Sequence, residues 1–306
     1  MTQSQQKTVL ITGASGKFGR HSAAAFAAAG WQIRSYDRAR QNLTEAARGA
    51  DAIIMGMHPP SYELWAEQLL PLHARVIAAA KAHDIPVILT GNLYGFGPDA
   101  GSRWGADTEM TAQNPLGLLR RQLEQMYRGG DVRTIMLYCG DFIDDRPTGN
   151  WFDRFVAAKV WKGRLVYPGA LDAKHSWCWL PDAARIAARL ADRADTLERF
   201  QPVPMPGYAL SAHDMAAAMT RVTGRKVTAK PLAWWPLKAL RPFMPAMKGV
   251  LEMRYLWSHP HELEGTTLAT LLPDYAPTPL DRALAQAIAA LPGAPKPQVQ
   301  AQPLAA

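Results

Sequence analysis

Apolar and polar positions alternate in blocks along the first 140 residues. Thr8–Thr12 is a short apolar run ending at a glycine, the pattern of a strand buried on both faces. The alanine-rich stretch Phe18–Ala29 predicts a helix, and Gly30 closes it. Gln32–Tyr36, Ala52–Met55, Pro86–Leu89 and Thr134–Tyr138 predict four more strands. Tyr62–Ala82 and Leu116–Arg128 predict two more helices, the first despite Pro71. Strands alternating with helices pair in parallel, so the pattern predicts an α/β, doubly wound sheet.

Beyond Gly140 the pattern loosens, and Trp, Pro and Gly become more frequent. Ala183–Leu190 predicts a helix with Asp182 as its N-cap, and Ser211 with Asp214 approaches a capping box. Leu251–Trp257 reads as a buried helix. Trp234–Lys248 is aromatic, basic and broken by three prolines. That combination fits a cap over a substrate domain or a subunit contact better than a membrane surface. The Pro-, Ala- and Gln-rich tail, 292–306, predicts disorder.

Composition narrows the function classes. The 306 residues carry a net charge of +8, which suits an anionic ligand. No zinc-finger pattern, RNA-recognition signature or basic run accompanies that charge, so nucleic acid is not expected. No apolar run is long enough to span a membrane, and the polar start lacks a signal-peptide core. The expectation is a cytoplasmic protein whose two cysteines, Cys139 and Cys178, are buried and reduced. His259-Pro260-His261-Glu262 lacks the helical spacing of a zinc site and an obvious third ligand, so no metal is expected.

The candidate chemistry begins at Thr12-Gly13-Ala14-Ser15-Gly16-Lys17-Phe18-Gly19, between the first strand and the first helix. Gly13 permits a tight turn, Gly16 lets backbone approach a pyrophosphate, and Gly19 lets the helix pack close. The helix N-terminus presents unpaired N–H groups to phosphate. Asp37, at the end of the second strand, can accept hydrogen bonds from ribose hydroxyls, which favours NAD over NADP. Arg38 beside it could instead hold a 2′-phosphate. Expected coenzyme contacts are Gly13, Ser15, Gly16, Lys17, Phe18, Gly19, Asp37 and Arg38, with Met57 and His58 from the loop after the third strand.

The Gly-x-x-Gly-x-x-Gly spacing, Pro86–Gly95, Tyr167-Pro168-Gly169 and His175–Ala184 together resemble the extended short-chain dehydrogenase/reductase superfamily, which includes NAD-dependent epimerases and dehydratases. The resemblance implies a Rossmann-type domain of residues 1–142 and 176–206. It also implies a smaller, discontinuous substrate domain of 143–175 and 207–291. In that family a Tyr-x-x-x-Lys pair moves the proton and holds the nicotinamide ribose. Here Leu116 and Arg120 stand at those positions. Leu116 has no proton to give; Arg120 can hydrogen-bond the ribose but is no base at neutral pH. The resemblance leaves Thr90 to hold the substrate oxygen and Tyr94 to donate the proton, with a protonated His58 as a helper. Asn92, Asp141, His175 and Trp177 would face the substrate, and Phe96 would form a pocket wall. The expected function is an NAD(P)-dependent oxidoreductase acting on a small carbonyl or alcohol. The alternatives are a nucleotide-sugar epimerase or dehydratase, disfavoured by histidine at 175 where those enzymes place a diphosphate-binding arginine, and a non-catalytic NAD(P) sensor. A homodimer is compatible with the sequence.

Overall fold

The computed structural model describes residues 6–239 and 243–295; the expected disordered tail lies outside them from position 296 onward. In chain order the strands are β1 (Thr8–Thr12), β2 (Gln32–Tyr36), β3 (Ala52–Met55), β4 (Val87–Gly91), β5 (Arg103–Trp104), β6 (Thr134–Tyr138), β7 (Asp141–Ile143), β8 (Arg164–Tyr167), β9 (His175–Trp179), β10 (Phe200–Pro204), β11 (Tyr208–Leu210), β12 (Thr228–Pro231) and β13 (Glu262–Leu263). The helices are α1 (Lys17–Ala28), α2 (Leu43–Ala47), α3 (Trp65–His83), α4 (Pro115–Gly129), α5 (Leu180–Ala191), α6 (Ala212–Thr223), α7 (Trp234–Ala239), α8 (Ala246–Glu252), α9 (Thr266–Leu271) and α10 (Leu280–Ala289).

Six strands form one parallel sheet in the order β10-β6-β4-β3-β1-β2. The alternation along β1 distributes its side chains between two cores. Leu10 joins the core under α3 and α4, whereas Val9 and Ile11 join the core under α1 and α5. Burial on both faces explains why the central strands read as continuous apolar runs. A third core gathers Ile143, Phe152, Val160, Tyr167, Trp177 and Trp257 with the buried faces of α6 and α10. It lies with the small sheets β11-β9-β7 and β12-β8.

Several boundaries differ from the expected ones. β4 continues to Gly91, which pairs with Tyr138; a Cβ there would stand 2.8 Å from the Tyr138 ring. Tyr62–Leu64 is a 3₁₀ turn, so the long helix starts at Trp65. Asp182 is not an N-cap. Pro181 has the fixed φ suited to a first helical turn, so α5 begins at Leu180. The Asp182 carboxylate instead accepts hydrogen bonds from the Thr278 backbone and hydroxyl, at 2.8 and 2.7 Å. The expected helix 251–257 is split, because α8 ends at Glu252 and Met253–Trp257 tightens into 3₁₀. β10 was missed because Pro202 and Pro204 disguise it; prolines are tolerated there because the strand is at the sheet edge. The capping box at Ser211–Asp214 forms as expected. Cys139 and Cys178, distant in sequence, are free, buried and adjacent; their thiols donate to the Leu137 and Trp179 carbonyls, and the neighbouring Cys139 thiol together with burial raises the Cys178 pKa.

The close packing of α1 on β1 yields a test. A Cβ on Gly19 would lie 2.1 Å from the Gly13 carbonyl oxygen, a backbone atom that cannot step aside alone. Alanine ordinarily favours a helix by about 1 kcal/mol over glycine. Gly19→Ala should instead destabilise the protein by about 1–3 kcal/mol in a urea unfolding experiment. A stabilised variant would refute the close approach.

Candidate functional site

The glycine-rich turn is built by backbone packing on backbone. Gly13 has φ +70°, and a Cβ on it would lie 2.7 Å from the Gly56 carbonyl group. A Cβ on Gly56 would lie 2.7 Å from the Thr12 carbonyl oxygen. The Gly16 N–H donates to the Gly13 carbonyl at 2.9 Å. Gly16 then opens α1 with no side-chain cap and no acidic residue in the first turn. This leaves the first N–H groups free for an anion, so the turn fits a coenzyme pyrophosphate. Ser15 is exposed at the tip. The Phe18 side chain is in the core, which leaves only its amide for a ligand.

Lys17 is half-buried, and burial pulls its pKa below the usual lysine value. Its ammonium donates to Asn150. Arg20 and His21 both hydrogen-bond Asp144, so the loop after β7 is fastened onto the first turns of α1. Burial alone would raise the Asp144 pKa, but the hydrogen bonds from His21 and Arg20 outweigh it and hold it at about 2. Asp145 also joins this cluster, where a metal ion would have to displace Arg20. Asp37 stands just beyond β2, half-exposed. It accepts a hydrogen bond from the Ala39 N–H at 2.9 Å and lies 3.5 Å from Arg40 Nε. Arg38 is exposed beside it.

At the carboxyl end of the sheet, Thr90 is half-buried on β4, and the Asn92 side chain accepts the Tyr94 N–H at 3.3 Å. The Tyr94 hydroxyl lies 2.6 Å from the Tyr62 hydroxyl, and its ring stacks on Trp65 at 5.9 Å. Burial, together with Tyr62 and Asp141, raises the Tyr94 pKa well above 10; burial pushes Tyr62 up to about 12. Both phenols therefore keep their protons at neutral pH. Arg120 comes from α4 and is 6% exposed. Burial pushes its pKa down to about 10, and its guanidinium makes no hydrogen bond among the described residues. Leu116 is in the core.

His58 stands on the loop after β3, exposed to solvent. Its ring packs edge-on to Trp65 at 4.7 Å, and desolvation, opposed by its hydrogen bond to Pro59 and aided by the nearby charges of Arg120 and Lys17, lowers its pKa. That direction disfavours the protonated form expected of a helper. Met57 is half-buried against the first core, its amide beside Gly13.

Asp141 joins Tyr62 and Tyr94 around a cavity of about 10 Å³, with Trp151, Val250, Met253, Leu256 and Trp257. That is room for about one water. His175 Nε2 donates to Asp141 at 2.7 Å, while its ring stacks on Trp257 at 4.1 Å and its Nδ1 is buried without a partner. His175 therefore reaches the cavity through Asp141. Phe96 and Trp177 are not pocket walls. Phe96 is stacked on Trp104 at 4.7 Å in the core, and Trp177 lies behind His175. His259 and His261 stack on the other reaches of Trp104 and donate to backbone carbonyls of Gly101 and His259. A larger cavity of about 470 Å³, between 106–110 and the outer side of α4, contains none of the expected site residues.

No family model matches the chain, and no curated protein does. Solved structures are similar over nearly the whole length. MoeE5, solved with UDP-glucose and NAD, superposes with a TM-score of 0.71 at 14% identity, covering 92% of this chain and 97% of its own. L-threonine dehydrogenase from Clostridium difficile also gives 0.71, at 15% identity over 93% and 98%. A nucleoside-diphosphate-sugar epimerase from Pseudomonas aeruginosa gives 0.67, at 18% identity over 93% and 97%. The chain shares its fold with these three proteins. Among the described residues no helix is long and apolar enough to cross a membrane.

Sequence reasoning missed Tyr62, Asp144, Asn150 and the roof residues 250–257. Tyr62 and Trp65 are spaced as neighbours on one helical face, but nothing local says that Tyr94 meets them.

Buried histidines near this region give a pH test. His73 is 3% and His261 2% exposed, and desolvation holds both well below 6.5. The unfolded chain takes up their protons first as pH falls. Stability should therefore be fullest above about 6.5 and decline below it. A melting temperature that stays level from pH 7 to 5 would contradict this.

Proposed function

We propose that the protein is an NAD(P)-dependent oxidoreductase acting on a small carbonyl or alcohol compound, with NAD preferred. The observation that carries the reading is the Tyr94–Tyr62 hydroxyl pair facing the same small cavity as Asp141, beside the unpaired Arg120 guanidinium. In this reading Gly13, Gly16 and the amides of Lys17 and Phe18 cradle the pyrophosphate. Asp37 turns from its own loop to the adenosine ribose, and Arg120 donates to the nicotinamide ribose. The coenzyme, when bound, supplies or accepts a hydride.

The chain's own groups manage the proton. Thr90 holds the substrate oxygen, and Tyr94 donates a proton to it. Tyr62 then returns a proton to Tyr94 along their hydrogen bond and regains one from water in the cavity they face. The Arg120 charge steadies the transient phenolate. Asp141, held by His175, accepts a hydrogen bond from a substrate hydroxyl. Residues 143–175 and 207–291 form the substrate side, and the roof at 250–257 must move to admit anything larger than water.

An NAD-dependent epimerase or dehydratase is the second reading, and the fold supports it equally well. NAD retained through purification would favour it; turnover of free NAD(P)H with a carbonyl panel favours the oxidoreductase. Binding without turnover in either assay would indicate a sensor. Tyr94→Phe should lower kcat by about 100-fold or more while coenzyme Kd stays unchanged; unchanged kcat would remove Tyr94 from the proton path. If neither coenzyme, oxidised or reduced, binds at millimolar concentration, the whole reading fails.

A further inference from the structure

The segment that carries the cavity's roof also carries an unusual surface. Among the described residues the exposed large apolar side chains are Leu118, Trp235, Phe243 and Met244, at 37, 75, 81 and 44% exposure, so three of the four fall between positions 235 and 244. Their exposure has a structural origin at Trp235. Its neighbour Trp234 is buried, donates its indole N–H to the Pro168 carbonyl at 2.8 Å, and lies under the Arg254 guanidinium at 5.0 Å. Anchoring one indole of the pair directs the next outward.

The charge of the segment is one-sided. No Asp or Glu occurs between Asp214 and Glu252, whereas Arg225, Lys226, Lys230, Lys238, Arg241 and Lys248 all fall there. Lys230, Lys238 and Lys248 are exposed. A second copy of the chain, docked on this face about a two-fold axis, would set these cations against themselves with no carboxylate of the same segment to pair them. Aromatic side chains framed by lysines instead match the boundary of an anionic bilayer, where an indole sits at the headgroup level and each cation gains from the surface potential.

We propose that residues 230–239 and 243–248 form a docking surface for an anionic lipid membrane. Trp235, Phe243 and Met244 enter the headgroup boundary, and Lys230, Lys238 and Lys248 contact the lipid phosphates. The protein is then held at the interface without crossing it. The roof is the direct continuation of this segment, since Gly249 packs on Tyr62 and Val250 and Met253 line the cavity. Docking therefore presents the roofed side of the site to the bilayer.

The test is co-sedimentation of the full-length protein with phosphatidylcholine vesicles, with and without about one-third phosphatidylglycerol. Binding should require the anionic lipid and weaken with salt. Lys238→Ala and Lys248→Ala should each lower the partition coefficient about fivefold. Trp235→Ser with Phe243→Ser, which leaves the net charge untouched, should lower it further. Circular dichroism and coenzyme affinity of that double variant should match the unaltered protein. No binding to anionic vesicles at low salt would overturn the proposal. So would binding that the double variant retains in full, because that is adsorption by overall charge. A dimer of the unaltered protein that the double variant dissociates would assign the face to a second copy and equally overturn it. Each readout is independent of catalysis, so loss of the oxidoreductase reading would leave this result standing.

Discussion

The contact of Gly13 with Gly19 and Gly56 is the constraint on which the rest of the site depends. Three stretches of backbone meet where no Cβ fits: a carbon added at Gly13, Gly19 or Gly56 would in each case fall below 3 Å from a backbone atom. This brings the start of α1 against the ends of β1 and β3. It leaves the first amides of α1 uncapped, because the residue at the cap is itself a glycine. Uncapped amides with no acidic residue in the helix's own first turn favour an anion. The turn thus obtains an anion-binding character from packing alone, before any side chain is considered.

Arg120 poses the complementary problem at the other end of the site. A buried guanidinium without a hydrogen-bond partner is costly, and its lowered pKa expresses that cost. The groups around it are the Glu124 carboxylate and the phenols of Tyr94, Tyr127 and Tyr138. The phenols carry no charge at physiological pH, and the Glu124 oxygens are already taken by Arg128 and Tyr138. Burial and the Glu124 carboxylate raise Tyr138, and burial raises Tyr127, so both stay protonated. An acceptor brought by a ligand would relieve the charge, whereas a lysine could have relieved it by losing its proton. Arginine at this position therefore keeps a fixed charge, and Leu116, packed in the core, has no proton to give.

Much of this was legible in the chain because the central sheet repeats one local rule. β1, β3 and β6 matched their apolar runs residue for residue, since a strand buried on both faces needs no tertiary information to be seen. β10 escaped because its prolines contradict local propensity, and only its place at the sheet edge makes them tolerable. The glycine turn was readable from spacing. The pairing of Tyr62 with Tyr94 was not, because it joins residues on separate elements whose meeting depends on how α3 enters the sheet. Phe96 and Trp177 show the reverse error. Their neighbourhood in sequence was right for a pocket, but both side chains are taken up by core packing, Phe96 against Trp104 and Trp177 within the third core.

The roof explains how distant parts of the chain share one site. Glu252 accepts hydrogen bonds from the Asn114 side chain and the Leu116 N–H, both at 2.6 Å, and so satisfies an otherwise free amide at the start of α4. One residue of the roof thereby caps the helix that carries Arg120, while Gly249 rests on Tyr62. Any displacement of 249–257 must either carry α4 with it or give up that cap. A rearrangement that opens the cavity is thus coupled to the placement of the Arg120 charge and of the Tyr62 hydroxyl. Opening and electrostatic preparation of the site are, on this geometry, one event rather than two.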